Sequence, residues 1–519
     1  MQDNTRYITV KGYSIPKSSL NEAESKELQD TLTVTPKMNQ KFATKEMLES
    51  ATFKVFRQSP NRWYVPRAWG EAKYGPAENV VPEGLDMAIE GFKGAPYDYQ
   101  EAIITKFIDA GGNGLICVPC GKGKTFMALS IAARIGKRFI VVVDKEFLMN
   151  QWKGEMEALM PGIRIGILQE DKKQTGFVEE VVPSMTELKG RLRALQLPVG
   201  GKKAELIERL RAVEPVVPVR YDCCIAMIQT IAARDFASNE FEDFGLTIFD
   251  ECHHLGAQHF SKALQKIQTK KMLGLSATPV REDGMSKVFQ WFLGEPVYWE
   301  KVREPDPTVE VKGVRIKTTD VAYNTVPTDW RGETVTARLL GNVLGCEDRN
   351  REIVRWIRKI AAEPARRILV LSERIGHLNR IEELLKDDGL SMSYYVGGMK
   401  ESVREEGALS ARILLASYAM ASEAMNIKTL NTVILASPRK HVEQSTGRIL
   451  RVQVSKRVVQ PMIIDIIDDH SMYKGQWLKR LAYYRSCEYM IEEMDMGADS
   501  GRVLKKKRVK VEVDDCLIR

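Results

Sequence analysis

Short apolar runs punctuate the chain from Glu101 onward. Gly114–Val118, Arg138–Val143, Cys224–Met227, Leu246–Phe249 and Met272–Leu275 are each four to six residues long, and stretches with helical spacing separate them. A strand covered on both faces reads as a continuous apolar run rather than an alternation. Such runs interleaved with helices predict a parallel sheet in an α/β lobe, here spanning 96–303. A second series, Arg367–Leu371, Ser391–Tyr395, Arg412–Ala416, Thr432–Leu435 and Met462–Ile466, predicts a second lobe over 336–498. Residues 304–335, interrupted by Pro305, Pro307 and Pro327, read as an inter-lobe linker.

The flanks differ. Residues 1–95 are rich in Thr, Val, Tyr and Pro, with alternations such as Phe53-Lys54-Val55-Phe56, and predict a small mixed or β-rich accessory domain. After Gly166-Ile167-Leu168 the strand pattern stops until about Arg220. Within that gap, 180–215 reads as an insert of two short amphipathic helices around the turn Leu197-Pro198-Val199-Gly200-Gly201. Residues 499–519 form a short basic tail, and its Lys505–Lys510 run suits a nuclear import signal, an electrostatic tether or a plain solvated charge run.

Composition narrows the class of molecule. A chain of 519 residues, 44% hydrophobic and 28% charged, is globular and long enough for several domains. The net charge of +8 favours a polyanionic partner. The eight cysteines follow no disulfide framework, and Cys117 and Cys120 lack a second pair at zinc spacing, so buried thiols and no structural metal are expected. No secretion signal opens the chain, and no apolar run reaches the ~20 residues of a membrane span. The expected setting is a reducing intracellular compartment, without a membrane partner.

Two segments carry chemistry. Leu115–Val118 runs into Pro119-Cys120-Gly121-Lys122-Gly123-Lys124-Thr125 and then a helical pattern from Phe126. Strand, glycine-bearing loop and helix is the setting of a phosphate loop. Gly121 and Gly123 let backbone amides turn inward, the helix N-terminus favours anions, Lys124 places charge on the β/γ phosphates, and Thr125 offers a hydroxyl to Mg²⁺. Val118 stands where the G-x4-G-K-T pattern has its first glycine. The second segment is Leu246–Phe249, which delivers Asp250-Glu251-Cys252-His253 at its end. Paired carboxylates at a strand terminus suit Mg²⁺-dependent hydrolysis. Asp250 would hold the ion, through water, and Glu251 would activate the attacking water.

These residues resemble the superfamily-2 helicases, whose fold is two tandem RecA-like lobes. Asp250-Glu251-Cys252-His253 is similar to their DExH box. Ser276-Ala277-Thr278-Pro279 resembles motif III, which links hydrolysis to lobe movement. Gln100 resembles the adenine-reading glutamine, Gln151-Trp152 the end of motif Ia, and Gln229-Thr230 a strand-contacting element. Gln444-Ser445-Thr446-Gly447-Arg448-Ile449-Leu450-Arg451 is similar to motif VI. The resemblance implies that Arg448 and Arg451 are arginine fingers reaching the γ-phosphate across a cleft, and that His253, Ser276, Thr278 and Gln444 couple hydrolysis to movement. The triplet Arg281-Glu282-Asp283, with Tyr395–Lys400 and Pro461–Asp468, is similar to the branch holding the xeroderma pigmentosum group B helicase and phage UvsW. Leu32–Pro36 and Tyr64–Arg67 resemble helicases of large DNA viruses, such as the poxviral transcript-release helicase. Motif V departs from the E-G-x-D of relatives: it reads Glu423-Ala424-Met425-Asn426, which puts the strength of coupling in question.

The insert resembles a SAP module. Leu188, Leu192, Leu195, Leu206 and Leu210 would form its core. Lys189, Arg191, Arg193, Lys202 and Lys203 would face a DNA backbone, and Arg281 is expected on DNA as well. Backbone contacts bring affinity but little sequence choice. A basic helical hairpin that docks a protein remains the alternative. The function expected is an ATP- and Mg²⁺-dependent DNA helicase or translocase, moving 3′-to-5′ as the resemblance implies. It would serve transcription or repair in a virus, in host cytoplasm, nucleus or virion, beside transcription or repair machinery. An RNA helicase and a weakly active DNA-binding scaffold are the alternatives.

Overall fold

The structure is a computed structural model that describes residues 5–37, 44–119, 121–178, 184–213, 219–277, 279–281, 283–300, 305–423, 427, 429–450, 452 and 454–504. The chain divides into two compact units, 1–118 with 123–299, and 300–519 with 119–122.

In the first unit, an eight-stranded sheet runs in the order Lys172–Lys173, Ile165–Gln169, Cys223–Met227, Phe139–Val143, Leu246–Phe249, Lys271–Ser276, Asn113–Cys117 and Pro296–Trp299. Every pairing is parallel except at the Lys172–Lys173 edge. Each of the five predicted apolar runs is a strand, and Phe139–Val143 and Leu246–Phe249 are buried at every position. Helices such as Lys124–Ile135 and Glu146–Leu159 cover the sheet with Met127, Leu129, Trp152 and Met156.

The N-terminal region forms a mixed five-stranded sheet, Arg57–Gln58, Arg62–Val65, Gly12–Pro16, Tyr7–Thr9 and Glu78–Asn79. It does not own a separate core. One apolar cluster runs from Tyr13, Ile15, Trp63 and Trp69 to Val288, Phe289 and Phe292 of the helix Ser286–Leu293. Buried Arg67 reinforces this seam, donating to the carbonyls of Lys270 (3.0 Å) and Thr269 (3.1 Å). Burial pushes that guanidinium down to about 10.

Two helices, Met185–Ala194 and Lys203–Val213, occupy the insert. Ser184 caps the first, accepting from Glu187 N–H while the Glu187 carboxylate accepts from Ser184 N–H. Leu188, Leu192, Leu206 and Leu210 close on one another with Leu195, Leu197, Val199 and Ile207 around them.

The second unit holds its own eight-stranded sheet, in the order Met392–Tyr395, Ile413–Ser417, Ile368–Ser372, Thr432–Leu435, Met462–Ile467, Glu310–Arg315, Met490–Asp495 and Arg502–Val503. All pairings are parallel except the last. Here the linker expectation is corrected: Glu310–Arg315 is an interior strand between Met462–Ile467 and Met490–Asp495. Its Glu-Val-Lys-Gly-Val-Arg sequence mixes charged and apolar residues, so it lacks the continuous run that marks the other central strands. Among the described residues, no helix is long and apolar enough to cross a membrane.

Two buried ion pairs and one buried histidine hold this unit. Arg349 forks onto Asp468 (2.7 and 3.0 Å), and Arg480 forks onto Asp465 (2.8 Å twice). His377 lies 2.9 Å from both Ser372 Oγ and Asn350 Oδ1. Burial, then the nearby Arg349 charge, pushes His377 down to about 3, so it is neutral in the fold. Between pH 6.5 and 3 the unfolded chain takes up a proton that the folded chain refuses. Stability from this group is therefore complete above pH 6.5 and is lost as pH falls toward 3. Urea midpoints measured across that window should fall with acid, and the fall should be shallower in His377→Gln.

Candidate nucleotide-binding site

The strand Asn113–Cys117 ends where Val118 N–H donates to Ser276 O (3.2 Å), and after the loop the helix Lys124–Ile135 begins. Gly121 and Gly123 have φ of +89° and +79°. Side chains rarely adopt that conformation, so the glycines are required by the turn. At Gly123 a Cβ would also lie 2.5 Å from Gln100 Nε2. Gln100, buried on the helix Asp98–Asp109, thus sits against the loop, its Oε1 accepting from Tyr97 N–H (3.0 Å). Pro119, Lys122 and Thr125 are partly buried, and Gly121 is exposed.

Leu246–Phe249 delivers the acid pair to the same region. Asp250 N–H continues the sheet by donating to Val142 O (3.0 Å). Glu251 then turns to φ +42°, left-handed and costly for a residue with a side chain by about 1–3 kcal/mol. Several bonds hold it there. Lys124 Nζ lies 2.9 Å from Glu251 Oε1, and Glu251 N–H donates to Asp250 Oδ1 (3.0 Å). Asp250 Oδ2 accepts from Trp152 Nε1 at 2.8 Å.

Charge in the cluster is uneven. Burial and the neighbouring Glu251 raise the Asp250 carboxyl above the usual carboxylate range. Burial opposes ionisation of Glu251 too, but the charge of Lys124 overrides it and holds the Glu251 carboxyl below the usual carboxylate range. Burial lowers His253 to about 4, so it is neutral at pH 7. Glu251 Oε2 is buried, 3.4 Å from His253 Nδ1, and accepts no hydrogen bond. A raised carboxyl beside a carboxylate oxygen with no donor, next to a loop of inward-turning glycines, is a site that could hold a divalent cation with a polyphosphate.

Around the box the structure adds partners that no local pattern reveals. His253 Nδ1 meets Ser276 Oγ at 3.0 Å. His254 Nδ1 meets Asp144 Oδ2 at 2.6 Å, and Gln229 Nε2 donates to Asp144 O at 2.6 Å. Trp152, Asp144 and His254 are thus site residues that sequence reasoning missed in these roles; only the Gln151-Trp152 pair stood out, without its link to Asp250. Arg281, expected on DNA, is tied to the box turn. Its Nη1 donates to His253 O (2.6 Å), and Nε and Nη2 fork onto Asp283 (3.0 and 2.5 Å). Three of its five N–H donors thus hold the box turn.

Within the second unit, Gln444 lies partly buried on the short helix Glu443–Thr446, and Arg448 is buried in the following turn, Gly447–Ile449. In the insert, Arg191, Arg193, Lys202 and Lys203 are exposed and Lys189 is partly so. Cys120, Thr278, Glu282, Asn426, Arg451 and the Lys505–Lys510 run lie outside the described residues.

Comparison with known proteins accords with this geometry. Residues 93–281, from just before Gln100 through Arg281, match the family described as Type III restriction enzyme, res subunit. Over 498 residues the chain is 29% identical to a protein of Acanthamoeba polyphaga mimivirus that bears the name of an ATP-dependent RNA helicase, covering 94% of this chain and 86% of that one. The chain is thus related to the helicases of large DNA viruses. It is also 24% identical over 415 residues to a protein named as a helicase of Invertebrate iridescent virus 6, covering 76% of this chain and 81% of that one. The helicase shares its fold with LlaBIII, an ATP-dependent Type ISP restriction-modification enzyme solved bound to DNA. That likeness has a TM-score of 0.50 at 15% identity over 79% of this chain and 32% of the other. The helicase is accordingly a nucleic-acid-dependent ATPase.

Proposed function

We propose that this helicase is a DNA translocase driven by Mg²⁺-ATP, and that the Lys124–Glu251–Asp250–Trp152 array is its hydrolytic centre. That array carries the reading: it joins a phosphate loop to an acid pair by bonds of 2.8–3.0 Å. The loop from Pro119 to Gly123 would cradle the phosphates through the backbone N–H groups that follow the proline, and Gln100 would read the adenine. Thr125 and Asp250 would hold Mg²⁺, Asp250 through water, and Trp152 keeps one Asp250 oxygen oriented. The ion supplies positive charge where the phosphoryl oxygens gain negative charge.

Glu251 is a weak base while Lys124 is bound to it. When Lys124 turns to a β/γ phosphate, that restraint is lifted and the Glu251 carboxylate gains basicity just as a water needs to lose a proton. His253 and Ser276, with Thr278 and Gln444, would pass the state of the site to the strand-binding parts. Arg448 and Arg451 would add charge at the γ-phosphate.

The basic insert supports DNA as the track, since its exposed Arg191, Arg193, Lys202 and Lys203 suit backbone contacts. The name borne by the mimivirus relative favours RNA as a second reading. We place the protein in transcription elongation or transcript release, or in repair of forked DNA, in a virus, with 3′-to-5′ movement. Strand displacement on matched DNA and RNA forks tests this, with Lys124→Ala as the control that should lose ATP-driven displacement. Displacement of the RNA fork alone would overturn the DNA reading. Full displacement by Lys124→Ala would overturn the motor itself.

A further inference from the structure

Trp330 is the most exposed of the helicase's tryptophans, at 85%, and it stands at the tip of a turn built to be rigid. Thr328 and Thr334 pair across the base, and Val335 N–H donates to Pro327 O (2.8 Å). Inside, Asp329 N–H donates to Glu333 O (2.9 Å) and Gly332 N–H to Asp329 O (3.0 Å). Asp329 Oδ1 accepts from both Arg331 N–H and Glu333 N–H at 2.9 Å. Gly332 takes φ +77°, which closes the turn. The Asp329 carboxylate is thereby consumed within the turn, while Arg331 places its guanidinium 4.3 Å from the Trp330 ring centroid. An indole that costs apolar exposure is thus held outward together with a planar cation.

The turn is anchored from behind. Tyr323, fully buried, donates its hydroxyl to Asp468 Oδ1 (3.1 Å) and accepts from Asp469 N–H (3.1 Å). His470 Nε2 lies 2.8 Å from Tyr323 O. On the other side Arg374 Nη2 donates to Ala337 O (2.7 Å). Asp468–His470 follow the strand Met462–Ile467, Arg374 follows Ile368–Ser372, and the segment itself follows Glu310–Arg315. These strands are parallel, so the turn is fixed at the carboxyl edge of the second sheet. Open α/β sheets take their ligands outside that edge.

We infer that Trp330 is a stacking platform for a base of the single strand, with Arg331 attracting the phosphate beside it. The inference rests on the helicase acting on nucleic acid and adds a contact that none of its motifs supplies. Aromatic rings accept any base face, so such a platform gives grip without sequence choice. A protein partner would be the other user of an exposed indole, but the paired cation favours a polyanion with flat rings.

The full-length protein is tested with a labelled single-stranded oligonucleotide, as DNA and as RNA, and with the same backbone made abasic. Trp330→Ala should weaken binding of the base-bearing strand by about 5- to 100-fold, and Trp330→Phe by much less. On the abasic strand wild type and Trp330→Ala should bind alike. Basal ATPase without a strand should not change, since Trp330 is outside the hydrolytic centre. Strand binding should also quench a component of tryptophan emission that Trp330→Phe lacks. Unchanged affinity in Trp330→Ala, or an equal loss on the abasic strand, overturns the platform while leaving the motor reading intact. A wild-type protein that binds no strand overturns both.

Discussion

Glu251→Gln should lower ATP turnover by about 10²- to 10⁴-fold, the usual contribution of a positioned general base. The substitution keeps the shape of the site. The amide oxygen it introduces still accepts from Lys124, and the backbone N–H still donates to Asp250, so the bonds that hold the left-handed turn survive. What is lost is the negative charge and the ability to take a proton. Loss of that charge also relieves Asp250, whose carboxyl is raised by burial and then by its neighbour. Nucleotide and strand binding should therefore persist, and the protein should accumulate with ATP uncleaved on the strand. Single-turnover hydrolysis and strand anisotropy in the presence of ATP measure the two effects separately. Normal turnover in this variant would remove Glu251 from the role of base.

The largest expected effect on stability lies far from that chemistry. Arg349 and Asp468 are both fully buried, joined by two hydrogen bonds, and Arg349 Nη1 also donates to Ala436 O at 2.7 Å. Arg349→Leu would leave the Asp468 carboxylate in the core, with the Tyr323 hydroxyl its one remaining hydrogen-bond donor among the described residues. Removing one partner of a buried pair typically costs about 3–5 kcal/mol. The unfolding transition of the second unit should move down by roughly 1–5 M urea, given slopes of about 1–3 kcal/mol per molar. Replacing both partners by leucine should recover part of the loss, because the uncompensated charge is then gone. An unshifted midpoint for Arg349→Leu would show that water reaches Asp468.

Much of the sheet architecture was legible because both central sheets are covered on two faces. Their core strands become continuous apolar runs, such as Phe139–Val143 and Ile368–Ser372, that no helix or loop imitates. Strands lacking such a run escaped. Pro296–Trp299, Glu310–Arg315 and Met490–Asp495 mix polar and apolar positions, and they are partly open or lie toward an edge. The glycine loop and the acid pair stood out in the sequence because each is a few consecutive residues beside a strand. Trp152 with Asp250, and His254 with Asp144, were not. Each is a contact between residues 98 and 110 positions apart, and nothing in the spacing of either partner encodes it. Arg281 is similar: its type suggested a phosphate, and nothing local revealed its bonds to Asp283 and the carbonyl of His253.

The seam between the N-terminal sheet and the first lobe bears on how this protein can be altered. Lys37 N–H donates to Asp283 O, the Asp283 carboxylate grips Arg281, and Arg281 grips the carbonyl of His253. Three links thus connect the accessory region to the acid box, alongside the shared core of Trp69 and Phe289. The N-terminal region is in this sense a splint for the turn that carries the acid pair. It could not be exchanged wholesale for another recognition domain, as a module on a tether could. Any change of cargo or partner must be written on its outer surface, leaving the inner face that braces the motor as it is.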